Sequence, residues 1–458
     1  MYEIDFKKPQ HVHFIGIGGI SMSGLAEILL KENFTISGSD SKPSALTEHL
    51  INLGATVFYP QKAENVIDGI DVVVYTAAIH EDNPEFVEVK RQGLPMLTRA
   101  QLLGQLMRNY ETPIAISGTH GKTTTTSMLS HILLAAEKDP TISVGGILKA
   151  IGGNIRVGDS GVFVTEACEY TNSFLDFFPQ IAIILNVEED HMDFFKDIHE
   201  IRSSFHRFAA LIPEGGALII NKNIEEMQTI TDELSCKVIT YSEVQSADYS
   251  ASNITFDDFG NASFDLIKYG EYAGRITLAV AGNHNVSNAL STIAVADQLE
   301  IPLDTIKKGL LSFTGTDRRF QYKGERNGVT IIDDYAHHPT EIKATLTSAR
   351  NYPHKEIWCI FQPHTYTRTK AFFHEFAEAL SLADHVILAD IYAARETDTL
   401  GMSSEALAEE IKKLGTDAYY LESFEAIKNF ALKKCIHGDV LITMGAGDVV
   451  NIGELLLK

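Results

Sequence analysis

Apolar runs of four to seven residues recur along this chain, most of them closed by glycine, asparagine or aspartate and followed by stretches where apolar positions return every three or four residues. The short runs read as strands buried on both faces, the longer periodic stretches as helices. Their alternation predicts parallel sheets joined by crossover helices. Strands are expected at His11–Ile17, Phe34–Gly38, Ala55–Tyr59 and Asp71–Thr76, with helices at Met22–Glu32 and Thr98–Asn109. A second series opens with a strand at Pro113–Ser117, a loop at Gly118–Lys122 and a helix at Thr123–Glu137. Strands at Gly161–Thr165, Ile181–Asn186, Ala217–Ile220 and Lys237–Thr240 follow; Asp248–Val280 alternates as antiparallel hairpins do, and Asn283–Leu299 returns to helix. The last third is the most regular. Strands at Thr330–Ile332, Glu356–Phe361, His385–Asp390, Ala418–Leu421 and Val440–Met444 alternate with helices at Thr340–Arg350, Thr369–Leu380, Ser404–Leu414, Phe424–Lys434 and Asp448–Leu457, a doubly wound pattern.

Composition narrows the function. The 458 residues carry a formal net charge of −23, which argues against nucleic acid or an anionic membrane surface as a partner. The four cysteines, Cys168, Cys236, Cys359 and Cys435, show no metal-ligand spacing and form no disulfide framework. No apolar run reaches the roughly 18 residues of a membrane helix. Met1–Gln10 is polar, without the apolar core of a signal peptide. The expectation is a soluble, cytoplasmic protein with a reduced thiol complement.

Two glycine-rich turns carry the chemistry. His13-Phe-Ile-Gly-Ile-Gly-Gly-Ile-Ser21 follows a strand and opens a helix. Gly16 suits the tight turn, and Gly18 and Gly19 let backbone N–H groups approach a diphosphate; Ser21 stands where the dinucleotide fingerprint has glycine. Asp40 ends the next strand, where a carboxylate can receive ribose hydroxyls. The second turn, Gly118-Thr119-His120-Gly121-Lys122-Thr123-Thr124, is a short phosphate loop. Its N–H groups can surround phosphate oxygens, Lys122 can bring charge to the β/γ-phosphates, and the Thr123 hydroxyl can join a Mg²⁺ shell.

Further groups sit at strand ends. Glu166 closes a strand as metal-side carboxylates often do. His191, in Glu189-Asp190-His191-Met192-Asp193, is a candidate metal ligand or a structural hydrogen-bonder, with Asp190 and Asp193 solvated. His284, Asn285 and Asn288 open a helix; the two amides can face a base or ribose, or cap the helix. Arg318 and Arg319 offer guanidiniums to phosphate or carboxylate. Asp333-Asp334-Tyr335-Ala336-His337-His338-Pro339 and Gln362-Pro363-His364…Arg368 place carboxylates, imidazoles and a guanidinium at two strand ends, where α/β sheets bind ligands.

Together these motifs, in this order along essentially the whole chain, resemble the Mur ligases of peptidoglycan synthesis, and within them the alanine-adding member. Asp390-Ile-Tyr-Ala-Ala-Arg395-Glu points the same way. The resemblance implies an α/β chain of three domains: a Rossmann-like N-terminal domain (1–108) for a UDP sugar, a central P-loop ATPase-like domain (109–317) for ATP, and a C-terminal doubly wound domain (318–458) for the amino acid. It implies Gly18, Gly19, Ser21 and Asp40 on the uridine nucleotide and Gly118–Thr124 with His284, Asn285 and Asn288 near ATP. Thr123, Glu166 and His191 fall on Mg²⁺, Arg319 on phosphate, and His364 and Arg368 on amino acid or sugar nucleotide. Lys122, His191, Arg319, Asp334 and His337 form the implied catalytic set.

Two departures stand out. Family members often read Glu-Ala-Asp-Glu-Ser where this chain has Glu166-Ala167-Cys168-Glu169-Tyr170. Sister ligases that add later amino acids carry a carbamylated lysine in a region that here, Asp197–Pro213, has no lysine but has His206. The implied reaction is ATP-dependent joining of L-alanine to the carboxylate of UDP-N-acetylmuramate, by a monomer or homodimer. Rival readings are a sister ligase attaching a recycled peptide to that sugar nucleotide, a nicotinamide oxidoreductase built on the first turn and Asp40, and a non-catalytic nucleotide-binding module.

Overall fold

The computed structural model describes residues 2–76, 79–192, 194–394, 396–398 and 400–458; Asp193 and Arg395 lie outside the described residues. The chain divides into two compact units, one running to Glu189 and including Asp197–Ile239, the other holding Asp190–Lys196 and Thr240–Lys458.

In the first unit, β1 (His11–Ile15), β2 (Thr35–Ser39), β3 (Thr56–Phe58), β4 (Val72–Tyr75) and β5 (Met96–Thr98) form a parallel sheet in the order β3-β2-β1-β4-β5. It is wound by α1 (Ile20–Lys31), α2 (Ala45–Asn52), α3 (Pro84–Gln92) and α4 (Arg99–Met107). Strand order reverses between β1 and β4, which opens a crevice at their carboxyl ends. β1 stops two residues earlier than its apolar run, because Gly16 turns the chain at φ +85°. Behind it, Ile15, Val66, Ile70, Val73 and Val89 form a local core.

The same unit carries β6 (Thr112–Ser117), β7 (Thr141–Leu148), β8 (Gly153–Arg156), β9 (Val162–Ala167), β10 (Ile181–Ile184), β11 (Ala217–Asn221) and the first half of β12 (Lys237–Ser242), in the order β12-β11-β10-β6-β9-β7-β8. α5 (Lys122–Ala135), α6 (Ile198–Ala209) and α7 (Gln228–Thr231) connect them. The β7–β8 hairpin, which the sequence pattern does not predict, rests against α1: Asn154 donates to the Ile20 carbonyl at 3.0 Å and Lys31 to that of Val157 at 2.9 Å. β9 pairs with β6 in the register Ile116↔Glu166 and Ser117↔Ala167.

In the second unit, β13 (Tyr249–Phe256), β14 (Asn261–Lys268) and β15 (Glu271–Ala281) pair antiparallel, as the alternation of Asp248–Val280 predicts, and α8 (His284–Gln298) and α9 (Leu303–Ser312) follow. A further sheet contains β16 (Gln321–Arg326), β17 (Val329–Asp334), β18 (Ile357–Phe361), β19 (His385–Leu388), β20 (Asp417–Tyr420) and β21 (Val440–Met444), ordered β16-β17-β21-β18-β19-β20. All its pairings are parallel except that of β16 with β17. Between its strands run α10 (Pro339–Ala349), α11 (Tyr366–Ala371), α12 (Phe373–Leu380), α13 (Ser404–Lys413) and α14 (Phe424–Lys434), and α15 (Val450–Leu457) ends the chain. The single helix expected over Thr369–Leu380 is two, broken at Phe372. Alternation along β18 sends Ile357, Cys359 and Phe361 to one core and Trp358 and Ile360 to the other, as a sheet covered on both faces requires.

Candidate active site

The first cluster is built in the first unit, at the carboxyl ends of β6, β9 and β10. β6 ends at Ser117, the chain turns, and α5 begins at Lys122 with Gly121 as its N-cap at φ +84°, a conformation that favours glycine. No acidic residue stands in the first turn of α5 and no side chain caps it, so its N–H groups are open to an anion. Asn186, just past β10, clamps the loop from both sides: its Oδ1 accepts from His120 N at 2.7 Å and its Nδ2 donates to His120 O at 3.1 Å. Thr119 N donates to the Asn186 carbonyl at 3.2 Å, and the Thr119 hydroxyl accepts from Glu188 N at 3.0 Å.

Lys122 Nζ donates to the carbonyls of Gly118 and Thr119 and lies 3.0 Å from Glu169 Oε2. Burial opposes its charge, but the Glu169 carboxylate outweighs this and holds the lysine well above its ordinary pKa. Thr123 Oγ1 donates to Glu166 Oε2 at 3.1 Å, and Gly145 N donates to Glu166 Oε1 at 2.5 Å. Thus the structure joins Lys122, Thr123 and Glu166 and adds Glu169, whose function the sequence left open. The Cys168 thiol, pushed up by burial and then by Glu169, is the uncharged neighbour between the two carboxylates.

At the first glycine turn, Asp40 does not stand free: Oδ2 accepts from Gly18 N at 2.8 Å and Oδ1 from Ser41 N at 2.7 Å. It braces the turn it was expected to complement. Gly19 is the uncapped N-cap of α1 and is exposed. Ser21 meets Arg99, which sequence reasoning missed: Arg99 Nη1 donates to Ser21 Oγ at 3.2 Å.

The second cluster lies within the second unit, where the carboxyl ends of β17 and β18 flank that of β21. Arg368 Nη2 donates to Asp190 Oδ1 at 2.9 Å, and its Nη1 is 3.4 Å from His364 Nδ1. The rings of His364 and His337 are 5.8 Å apart. His337 Nδ1 is 3.0 Å from the Tyr335 carbonyl and 3.3 Å from Glu341 Oε2, so it carries the proton and leaves Nε2 as acceptor. Burial, then Arg368, overrides Glu341 and pushes the His337 pKa down to about 4. Arg319 Nη1 is 3.8 Å from Glu341 Oε1, and the exposed His284 lies in the electrostatic field of both. His191, at φ +55°, donates its N–H to Asp190 Oδ1 at 2.7 Å.

Some expected ligand groups are engaged within the protein. Asp334, buried, accepts from Phe320 N at 3.0 Å, Ala336 N at 2.8 Å and Thr345 Oγ1 at 3.0 Å; burial raises its pKa to about 6. Asn285 Nδ2 donates to the Ala281 carbonyl at 2.7 Å and its Oδ1 accepts from Asn288 at 3.1 Å, which ties α8 to the end of β15. Arg318 binds Asp333 at 3.1 Å and the Gly445 carbonyl at 2.7 Å, leaving Arg319 as the lightly paired guanidinium. His206 is 3.1 Å from the Ile230 carbonyl. No helix among the described residues is long and apolar enough to cross a membrane.

Three family models match in sequence: the Mur ligase family catalytic domain over residues 11–111, the Mur ligase middle domain over 116–296, and the Mur ligase glutamate ligase domain over 318–447. The UDP-N-acetylmuramate–L-alanine ligase of Lachnospira eligens is 60% identical over 459 residues, covering 100% of both chains. The crystal structure of the UDP-N-acetylmuramate-alanine ligase of Thermotoga maritima superposes with TM-score 0.81 at 30% identity, over 98% of each chain. A murein peptide ligase structure from Psychrobacter arcticus gives TM-score 0.71 at 26% identity, again over 98% of each. With three successive domain matches and a relative 60% identical over the full length, the chain belongs to the Mur ligase family.

Proposed function

We propose that the chain joins L-alanine to the lactyl carboxylate of UDP-N-acetylmuramate, converting ATP to ADP and phosphate, as a cytoplasmic enzyme of peptidoglycan precursor synthesis. The observation that carries this reading is the 60% identity to an alanine-adding relative over the entire chain. The residues up to 108 take the sugar nucleotide, 109–317 the ATP and 318–458 the amino acid.

A carboxylate does not condense with an amine unaided, since its oxygen is a poor leaving group. Transfer of the γ-phosphoryl group to that oxygen gives an acyl phosphate; the amine then attacks the acyl carbon and phosphate departs. The protein contributes alignment and charge. Lys122 and the N–H groups of α5 face the β/γ-phosphates, and Arg319 supplies a second cation. His337 Nε2 accepts a hydrogen bond from the incoming amine, while His364 and Arg368 hold the amino-acid side of the site. Asp334, its oxygens occupied by Phe320, Ala336 and Thr345, is assigned as a positioning residue for the turn bearing His337. Thr123 and Glu166 present hard oxygen donors 3.1 Å apart, a donor set that fits Mg²⁺. They would hold the ion, which when bound neutralises phosphate charge. His191 offers nitrogen, which suits Mg²⁺ poorly.

Phosphate release with ATP, Mg²⁺, UDP-N-acetylmuramate and a panel of amino acids and a tripeptide tests the reading. Release dependent on L-alanine supports it; release with the tripeptide alone assigns the chain to the peptide-attaching branch.

A further inference from the structure

The loops that follow β18 and β19 lock into each other. Tyr392 N donates to the Pro363 carbonyl at 2.8 Å and Thr365 N to the Tyr392 carbonyl at 2.9 Å, so His364 and Tyr392 pair as one parallel bridge. Their rings stack with centroids 5.6 Å apart. Directly after this bridge Thr365 sits at φ +66°, ψ +146°, a backbone conformation that residues other than glycine adopt only under strain. The strained residue is the N-cap of α11, whose first N–H groups have no partner inside the helix. Two of them go to one carboxylate: Glu396 Oε2 accepts from Tyr366 N at 2.7 Å and from Thr367 N at 3.0 Å, while Glu396 Oε1 accepts from the Thr367 hydroxyl. The Thr365 hydroxyl accepts from Arg368 N at 3.4 Å and closes the turn.

This lock decides where two side chains of the second cluster stand. His364 immediately precedes the strained residue and Arg368 follows it by three, so one bend in the chain brings Arg368 Nη1 to 3.4 Å from His364 Nδ1. Arg368 carries a fixed charge in a planar fork suited to a carboxylate, and such a fork binds well only when its direction is set. Glu396 supplies that direction from a segment 30 residues further along the chain. Its negative charge is favourable at a helix N-terminus, and its two oxygens serve three donors at once. Without it, two N–H groups and a hydroxyl lose their acceptor, and the strain at Thr365 loses a counterweight. We propose that Glu396 is a positioning residue for the amino-acid side of the site: its carboxylate holds the first turn of α11 so that the Arg368 guanidinium meets the carboxylate of the incoming amino acid. This inference rests on the function proposed above and adds to it a residue that acts through Arg368.

The test is steady-state phosphate release by the full chain and its Glu396→Ala, Glu396→Gln, Arg368→Gln and Glu396→Ala/Arg368→Gln variants, with KM measured for each of the three substrates. Glu396→Ala is expected to raise the KM for L-alanine about tenfold, through a misaimed guanidinium, and to leave those for ATP and UDP-N-acetylmuramate at the wild-type value. Glu396→Gln, which keeps one acceptor oxygen, should recover part of that loss; it also carries the test if the alanine variant does not fold. With Arg368 already replaced, Glu396→Ala should add less than about twofold, since the two residues act as one unit. An unchanged KM for L-alanine in both Glu396 variants overturns the proposal, as do fully multiplicative effects in the double variant. A rise in all three KM values together with an earlier urea midpoint would mark a merely structural role and overturn it too. A wild-type KM for L-alanine in Arg368→Gln would overturn it while leaving the ligase reading in place. Absence of L-alanine-dependent phosphate release in the wild-type chain would instead sink that reading, and this inference with it.

Discussion

Arg368 and Asp190, 178 residues apart in sequence, meet at 2.9 Å between Nη2 and Oδ1. The guanidinium outweighs burial and holds the Asp190 carboxyl below its ordinary value of 3.8. A depressed folded-state pKa gives stability that is present above the ordinary value and is lost as pH falls below it. The stability gap between the wild type and Asp190→Asn should therefore be constant from about pH 7 to pH 5 and shrink below about pH 4. Urea unfolding across that range measures it; a gap that widens on acidification contradicts the pairing.

Lys122 is expected to dominate phosphate chemistry. Lys122→Ala should lower ATP-dependent turnover by about 10²–10³, as removal of a preorganised electrostatic donor does. Glu169→Gln strips the buried partner instead and should cost about 3 kcal/mol of stability in denaturant unfolding. Near-wild-type turnover in Lys122→Ala would refute the loop's assignment.

Glu166→Gln removes a negative oxygen from the Thr123 pair. The Mg²⁺ concentration for half-maximal phosphate release should rise about 10- to 100-fold, with little change in the KM for L-alanine. An unchanged Mg²⁺ dependence would assign Glu166 to Gly145 and Thr123 alone.

His337→Ala should raise the KM for L-alanine about tenfold and leave that for ATP unchanged, since one hydrogen bond to the amine is lost. With its pKa pushed down to about 4, His337 stays neutral through the physiological range. The wild-type profile of kcat/KM for L-alanine against pH should accordingly lack a break assignable to His337 near 6.5; such a break, abolished by His337→Ala, would contradict this.

Much of the architecture was legible because buried parallel strands announce themselves as unbroken apolar runs: Pro113–Ser117 and Val440–Met444 are strands as expected, and the run expected over Ile181–Asn186 is strand as far as Ile184. β16 was not, because Gln321–Arg326 is a polar edge strand defined by its pairing with β17. Thr141–Arg156 was missed for a similar reason: the hairpin sits at the end of its sheet. At the site, loops after strands pointed to Lys122, Thr123 and His337. Partners did not, since Glu169 lies 47 residues from Lys122 and Arg99 lies 78 from Ser21. Nor does sequence tell an amide that greets a ligand from one that bonds its own backbone, as Asn285 does to Ala281.

The pairing of β9 with β6 carries an evolutionary consequence. Glu166 sits opposite Ile116 and Ala167 opposite Ser117, so Glu166 is indexed to the strand rather than to a loop. Inserting or deleting one residue between Val162 and Glu166 would exchange the two faces and swing the Glu166 carboxylate to the wrong side. A substitution at one position leaves this register intact, whereas a change of length in the strand re-aims Glu166.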